Sequence, residues 1–400
     1  MTSEAGRLPP VWLRGLGFLP LGVFGALMLI TTPTLLASSH TPEPTIALVT
    51  AAGLAAAWVS IPFSPLLDWR FSRRTYAVAF AVAGAALAFA ALHAMGRPLL
   101  LAALLFAGNF AISLCVSAVG GWFGNISPAE QKGALGAWFT VTNIGGGGLT
   151  AALAIPLIRH APAPLGAAVL SLMVIAALPL YFATPCPPAD RKLAGESVRD
   201  FARDVAALLR RREVLWVLAL FIAPSASFAL TNTLGGFGRD FATSEQLVGL
   251  IGGAGVAVAG VVGSLIVPPI LKRVPAATLY LLVGGVGAVF TLVLAASART
   301  PLSFGVAMLG ENVFQAAAFS SANALTLQTI GHDNPLAATQ FGVLIVASTI
   351  PLTYMQVIDG RGYTMGGVTG SLVTDAVISG AVCAVLGFLW SRRRPLDATA

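Results

Sequence analysis

Along this 400-residue chain the apolar positions fall in long continuous blocks, separated by short polar stretches rich in Pro, Gly and Arg. The blocks lack the strict alternation of half-buried strands. A bilayer core ~30 Å thick takes roughly 20 apolar residues per helix. Lipid offers the backbone no hydrogen bonds, so a span must be a helix or part of a closed barrel. Barrel strands alternate over short segments, and these Ala-, Leu-, Val- and Gly-rich blocks do not. The pattern predicts an all-α polytopic membrane protein with twelve transmembrane helices. They fall at 13–37, 45–67, 75–95, 98–123, 133–158, 164–183, 213–236, 247–271, 276–296, 302–328, 337–359 and 368–390. The longest polar interruption, PCPPADRKLAGESVRDFARDVAALLRRRE, occupies 184–212. The predicted organisation is a six-helix bundle over 1–183, a linker over 184–212 and a second six-helix bundle over 213–400. From about Ser197 the linker turns helical in pattern, with Val198, Phe201, Val205 and Leu208 on one face. That face either lies on the membrane interface or belongs to a solvated connecting helix, and the sequence leaves both open.

Composition agrees with the pattern. Hydrophobic residues make up 56% of the chain and charged residues 10%, where soluble domains carry about 25% charged; the mean hydropathy is +0.84. The first residues, MTSEAGRLPPVW, do not read as a cleaved signal, because the apolar run after them is too long and no small-residue cleavage site follows. The net charge of +7 invites a nucleic-acid reading, but its placement explains it otherwise. Twelve spans put both termini on one side. With that side cytoplasmic, 18 of the 23 Lys and Arg lie inside, and only Arg97, Arg159, Arg239, Arg299 and Arg361 lie outside. This asymmetry is the positive-inside signal. It predicts cytoplasmic termini, contact with anionic membrane lipid and no nucleic-acid partner. Composition and the lack of long extra-membrane domains are compatible with a bacterial inner membrane; a monomer is the expectation.

Several chemistries are missing. No GxxxxGK[ST] loop is present, so ATP-driven transport within this chain is excluded. Three scattered cysteines (Cys115, Cys186, Cys383) and four histidines near loops or span ends form no metal or disulfide pattern. No arrangement of Ser, His and an acid indicates an enzyme, and no cofactor is expected.

A shift of 202 residues brings the halves into register. Arg97 then meets Arg299, Leu100 meets Leu302, Gly108 meets Gly310, Asn109 meets Glu311 and Phe139 meets Phe341. Spans four and ten thus become equivalent, as internal repeats in transporters require. The loop SPLLDWRFSRRTY after span two places an acid at a helix end before an Arg pair, while its counterpart after span eight, GSLIVPPILKRVP, keeps a Gly and a basic pair without the acid. Here the chain resembles the major facilitator superfamily. Within it, LGFLPLGVFGALMLITTPTLL, IPFSPLLDW, GENVFQAAAF and NPLAATQFGVLIVAS are similar to the group of AmpG-type muropeptide permeases and acetyl-coenzyme A transporters. The resemblance implies two pseudo-symmetric six-helix bundles, a cavity lined by spans one, four, seven and ten, and secondary transport by alternating access. The loop after Asp68 is shorter than in AmpG-type permeases.

Glu311 is the first candidate for chemistry. It lies ~14 Å into span ten, near the membrane midplane, at 1.5 Å per residue. An ionisable group at that depth is costly and marks function by default; a carboxyl there suits proton coupling. The alternative is that it only fixes packing. Asn312 and Gln315 sit beside it on span ten, Asn109 holds the equivalent position on span four, and Gln340 and Tyr354 offer hydrogen-bond groups from span eleven. Polar groups between membrane helices are as often packing contacts as ligand contacts. Asp68 with Arg73 and Arg74 forms the second constellation, able to make charge-assisted bidentate contacts. By resemblance it locks the halves on the cytoplasmic side; otherwise the arginines are ordinary topology anchors. Asp359 and Asp375 fall at span ends and read as interfacial. The leading expectation is a proton-coupled transporter of a small polar organic solute, such as a muropeptide, an acetyl-coenzyme A or a siderophore. The competing reading is a receptor or assembly protein that keeps the fold and moves nothing.

Overall fold

The structure is a computed structural model that describes residues 8–160, 162–187 and 198–392. Among these residues there are helices and no strands. The first half holds α1 (Val11–Ser38), the bent pair α2 (Glu43–Val59 with Ile61–Asp68, 47° apart), α3 (Arg73–His93), α4 (Pro98–Ile126), α5 (Ala129–His160) and α6 (Pro164–Ala183). In the linker, α7 covers Val198–Leu209. The second half holds α8 (Arg212–Ile222), α9 (Glu245–Leu271), α10 (Ala276–Ala296), α11 (Pro301–Ile330), α12 (Ala337–Ala347) and α13 (Ile350–Ser391).

Among the described residues, eight helices are long and apolar enough to cross a membrane, or nine with the bent pair. The distance from twelve has three physical causes, and the architecture remains consistent with twelve spans. First, α12 and α13 form one 55-residue apolar run, Ala337–Ser391. That run reverses at Gly366 and Gly367. Gly367 has φ 59° and ψ −150°, a conformation open essentially to glycine alone. Beyond the reversal a β-carbon at Gly362 would stand 2.7 Å from the Gly370 carbonyl oxygen, so the two arms of α13 lie against each other. Second, the seventh span is broken. Helix α8 ends at Ile222, Pro224 follows, Phe228 takes a left-handed φ of 47°, and the chain resumes as short 3-10 turns over Ala229–Asn232 and Leu234–Phe241. Third, α11 is a single 30-residue helix but carries Glu311, Asn312, Gln315, Asn323 and several hydroxyls, which keep it off the list of strongly apolar helices.

The described contacts group the chain into two compact units. One comprises Met1–Val214 and Thr326–Val346, the other Leu215–Leu325 and Ala347–Ala400. The first unit has an aromatic core in which Phe18 stacks on Phe139 at 3.8 Å and Phe341 meets both rings edge-on. Small residues let these rings in: a β-carbon at Gly120 would collide with the Phe341 ring. The second unit buries Leu230, Leu234, Phe241, Phe304 and Leu372 together.

The linker helix takes neither of the two courses open to it in the sequence. Phe201 and Leu208 are buried against Leu336, with Trp69 and Val205 at the edge. The Phe201 and Trp69 rings stack at 6.1 Å. The apolar face of α7 thus covers protein. The side chain of Val198 lies outside the described residues, as do Arg191 and Lys192 of the linker.

Candidate functional site

Two polar clusters stand out, one in each unit. The first is built around Asp68 at the end of α2, which is 8% exposed. Its Oδ1 receives Arg73 Nε at 2.7 Å and the Ala338 N–H at 3.2 Å. Its Oδ2 receives both the backbone N–H and the hydroxyl of Thr339, each at 2.7 Å. Ala338 and Thr339 belong to the first turn of α12, whose N–H groups have no partner within the helix. A carboxylate there satisfies them and meets the positive end of the helix dipole. Arg73 reaches on to the Asn334 and Pro335 carbonyls, both at 2.9 Å. Arg74 joins none of these bonds. Asn334 ties in further groups: its N–H binds Asn125 Oδ1 at 2.7 Å and its amide binds Gln340 Oε1 at 2.8 Å. Gln340 therefore belongs to this cluster.

The other end of the α11–α12 connection is held by the opposite charge. Helix α11 ends at Ile330, and Gly331 follows with φ 75°. Buried Lys132 of α5 donates to the Gly331 carbonyl, placing a cation at the negative end of α11. Sequence reasoning missed Lys132, Asn334 and Thr339. Nothing local marks them, because each has a partner some two hundred residues or more away in the chain: Gly331 for Lys132, Asn125 for Asn334 and Asp68 for Thr339.

The second cluster surrounds Glu311 on α11, which is fully buried. Its Oε1 accepts from Thr291 Oγ1 of α10 at 2.5 Å, and its Oε2 has no partner among the described residues. Asp359 and Asp375, on the two arms of α13, are 1% and 3% exposed. Asp375 lies within electrostatic reach of both Glu311 and Asp359. Among the described residues both oxygens of Asp359 and one of Asp375 lack partners. Among the described residues none of the three forms an ion pair. The sequence placed Asp359 and Asp375 at the interface; the tight reversal at Gly366–Gly367 instead keeps helix around both and buries them. Two acids flanking a glycine pair was the signal available.

Of the remaining candidates, Gln315 and Tyr354 serve the broken seventh span. A broken membrane helix leaves carbonyls that must find new donors. Tyr354 Oη donates to the Ile222 carbonyl at 2.7 Å, Cys383 Sγ to the Ser225 carbonyl at 2.8 Å, and Gln315 Nε2 to Thr231 Oγ1 at 2.6 Å and the Phe228 carbonyl at 3.4 Å. Gln315 lies one turn after Glu311, so α11 carries both the acid and a contact to the break. Asn312 bonds its own helix at the Met308 carbonyl, 2.8 Å away. Asn109 of α4 donates to the Gly53 carbonyl of α2 at 2.9 Å. Among the described residues no group of His, Cys, Asp and Glu is arranged to hold a metal.

Comparison with known proteins places this arrangement. The family description Major Facilitator Superfamily matches residues 15–352. No curated protein sequence gives a significant match. Among solved structures, the E. coli fucose:proton symporter FucP is similar with a TM-score of 0.71 at 15% identity, over 96% of this chain and 98% of that one. The proton:xylose symporter XylE aligns with a TM-score of 0.67 at 12% identity, over 96% and 94%. The human organic anion transporter MFSD10 does so at 0.67 and 18%, over 96% and 100%. At such identities the likeness concerns the fold. With the family description spanning most of its length and that fold repeated in these transporters, the chain belongs to the Major Facilitator Superfamily, as a multi-pass membrane transporter and not an enzyme.

Proposed function

We propose that this protein is a secondary active transporter that moves a small polar organic solute by alternating access, driven by proton movement through the Glu311 cluster. The observation that carries the reading is the burial of Glu311, Asp359 and Asp375 together with no cation partner among the described residues. Charged groups without partners are not stable inside a membrane. Carboxyls can meet that constraint by holding protons and releasing them when water enters. The hydroxyl of Thr291 is within reach of both the Gly287 carbonyl, at 3.0 Å, and Glu311 Oε1. It has one proton to give. A protonated Glu311 donates to Thr291 and leaves that proton for Gly287; an ionised Glu311 takes it. Thr291 is thus positioned to register the proton state of Glu311 on α10.

On this reading the two six-helix halves, 1–183 and 213–400, alternate access, and Asp68 with Arg73 acts as a latch on the first turn of α12; Arg74 supplies positive charge nearby. Both termini face the cytoplasm of a bacterial inner membrane, and one copy suffices. The broken seventh span, with Gln315 and Tyr354 on its carbonyls, provides the element whose rearrangement admits solute, and Asn312 and Asn109 belong to spans that the family uses for its cavity. The cargo belongs to the AmpG-like range of muropeptides, acetyl-coenzyme A and siderophores, with the sugar symport of two structural neighbours as the comparison to exclude.

The test is proton flux in proteoliposomes carrying an internal pH dye, with anhydro-muropeptides, acetyl-coenzyme A, siderophores, fucose and xylose added in turn. One compound should acidify the lumen, and Glu311→Gln should abolish that acidification while binding persists. Unchanged acidification with Glu311→Gln would remove Glu311 from the coupling path.

A further inference from the structure

The second unit contains an apolar groove that the transport reading does not use. Trp216 and Leu220 of α8, Ala277 and Leu281 of α10, and Leu386 and Trp390 of α13 line it. The groove has a structural cause. One level further along, α10 meets α13 and the break that follows α8: a β-carbon at Gly284 would overlap the Ser225 carbonyl oxygen and stand 2.9 Å from Cys383 Sγ. The groove lies between that close approach and the start of α10 and end of α13. From Gly284 to Ala277 is ~10 Å at 1.5 Å per residue.

Cations sit at the ends of these elements. Lys272 and Arg273 lie in the short link just before α10, and Arg392 follows Trp390 by two residues, its guanidinium 4.2 Å from the Phe388 ring centre. All three are exposed, and among the described residues none forms an ion pair. The described acids of this unit lie elsewhere. Asp240 precedes α9 and Glu245 begins it, at its far end, and Glu311, Asp359 and Asp375 are buried within spans. The first residues of α8, Arg212 and Glu213, carry opposite charges and leave the balance unchanged. Positive-inside topology accounts for the cations but not for an apolar wedge with a tryptophan on either side. Tryptophan prefers the headgroup level, and basic pockets between membrane helices bind anionic headgroups.

We propose that this groove is a binding site for an anionic phospholipid, with an acyl chain between Trp216 and Trp390 and the headgroup phosphate on Lys272, Arg273 and Arg392. The experiment uses the full chain in detergent micelles, titrated with phosphatidylglycerol or phosphatidylcholine brominated on the acyl chain, with tryptophan quenching as the readout. The anionic lipid should give a saturable quenching component at lower mole fraction, by about fivefold per engaged cation. Trp216→Phe with Trp390→Phe should delete that component. Lys272→Gln, Arg273→Gln and Arg392→Gln together should bring phosphatidylglycerol to the level of phosphatidylcholine, while Arg239→Gln should leave it unchanged. Equal quenching by the two lipids overturns the site. So does an anionic preference that survives either combined variant, or one that Arg239→Gln lowers equally. Thermal melts of each variant separate lost binding from lost folding.

Discussion

At the scale of single residues, Asp68 and Glu311 are buried acids with opposite provisions. Asp68 receives four hydrogen bonds, one of them from Arg73; Glu311 receives one. Hydrogen bonds to a charged group contribute ~1.5–3 kcal/mol each, and an orphaned donor costs a comparable amount. Asp68→Asn should therefore lower the melting temperature in detergent. A double-mutant cycle with Thr339→Val should be non-additive by about 0.5–3 kcal/mol, because the two share a bond. Glu311→Gln removes an uncompensated acid, so the melting temperature should hold or rise even as coupled transport is lost. A variant that unfolds instead would make Glu311 a packing residue. Both acids stood out in the sequence, Asp68 from its place before an Arg pair and Glu311 from its expected depth. Their partners were not. Thr339 lies far along the chain from Asp68, and Thr291 is an unremarkable threonine in an apolar helix. The pairings exist only through tertiary packing, which no local pattern encodes.

At the scale of elements, the broken seventh span is the feature that hydropathy hid. The stretch LALFIAPSASFALTNTLGGF stays apolar enough to read as one helix, with Pro224 the only warning. Structure shows why the break survives. Side chains of Tyr354, Cys383 and Gln315 take up its carbonyls, and glycines on α10 leave room for it. A β-carbon at Gly284 would overlap the Ser225 carbonyl oxygen, a backbone atom that cannot swing aside. Gly284→Ala should cost roughly 1–3 kcal/mol, as overpacking does, and should raise amide hydrogen exchange over residues 223–232. Protection equal to wild type there would mean the helices separate without disturbing the break. The misreading of Asp359 and Asp375 has a similar origin. Periodicity locates apolar runs well, but it cannot say whether the polar residues between two runs form a loop or a tight reversal.

At the scale of the whole molecule, charge asymmetry gives an orientation that chemistry can test. Cys115 and Cys383 are buried, whereas Cys186, just past α6, is partly exposed. On the proposed orientation Cys186 faces the cytoplasm. A membrane-impermeant maleimide should label the native chain at one position in inverted vesicles and not at all in right-side-out vesicles. The reverse pattern would turn the protein over and move the Asp68 latch to the outer side. The helical class and the approximate places of the spans were readable from the run lengths alone. The cargo was not, because solute contacts are a handful of side chains among several hundred residues.

The reversal at Gly366–Gly367 carries a consequence for how this protein can vary. With no intervening loop, an epitope tag or a natural insertion placed there has no slack to enter. It would pry the two arms of α13 apart, and Asp359 from Asp375 with them. Length changes at this bend should be purged while the longer connections accept them, so diversification of the chain must proceed around a hairpin of fixed length.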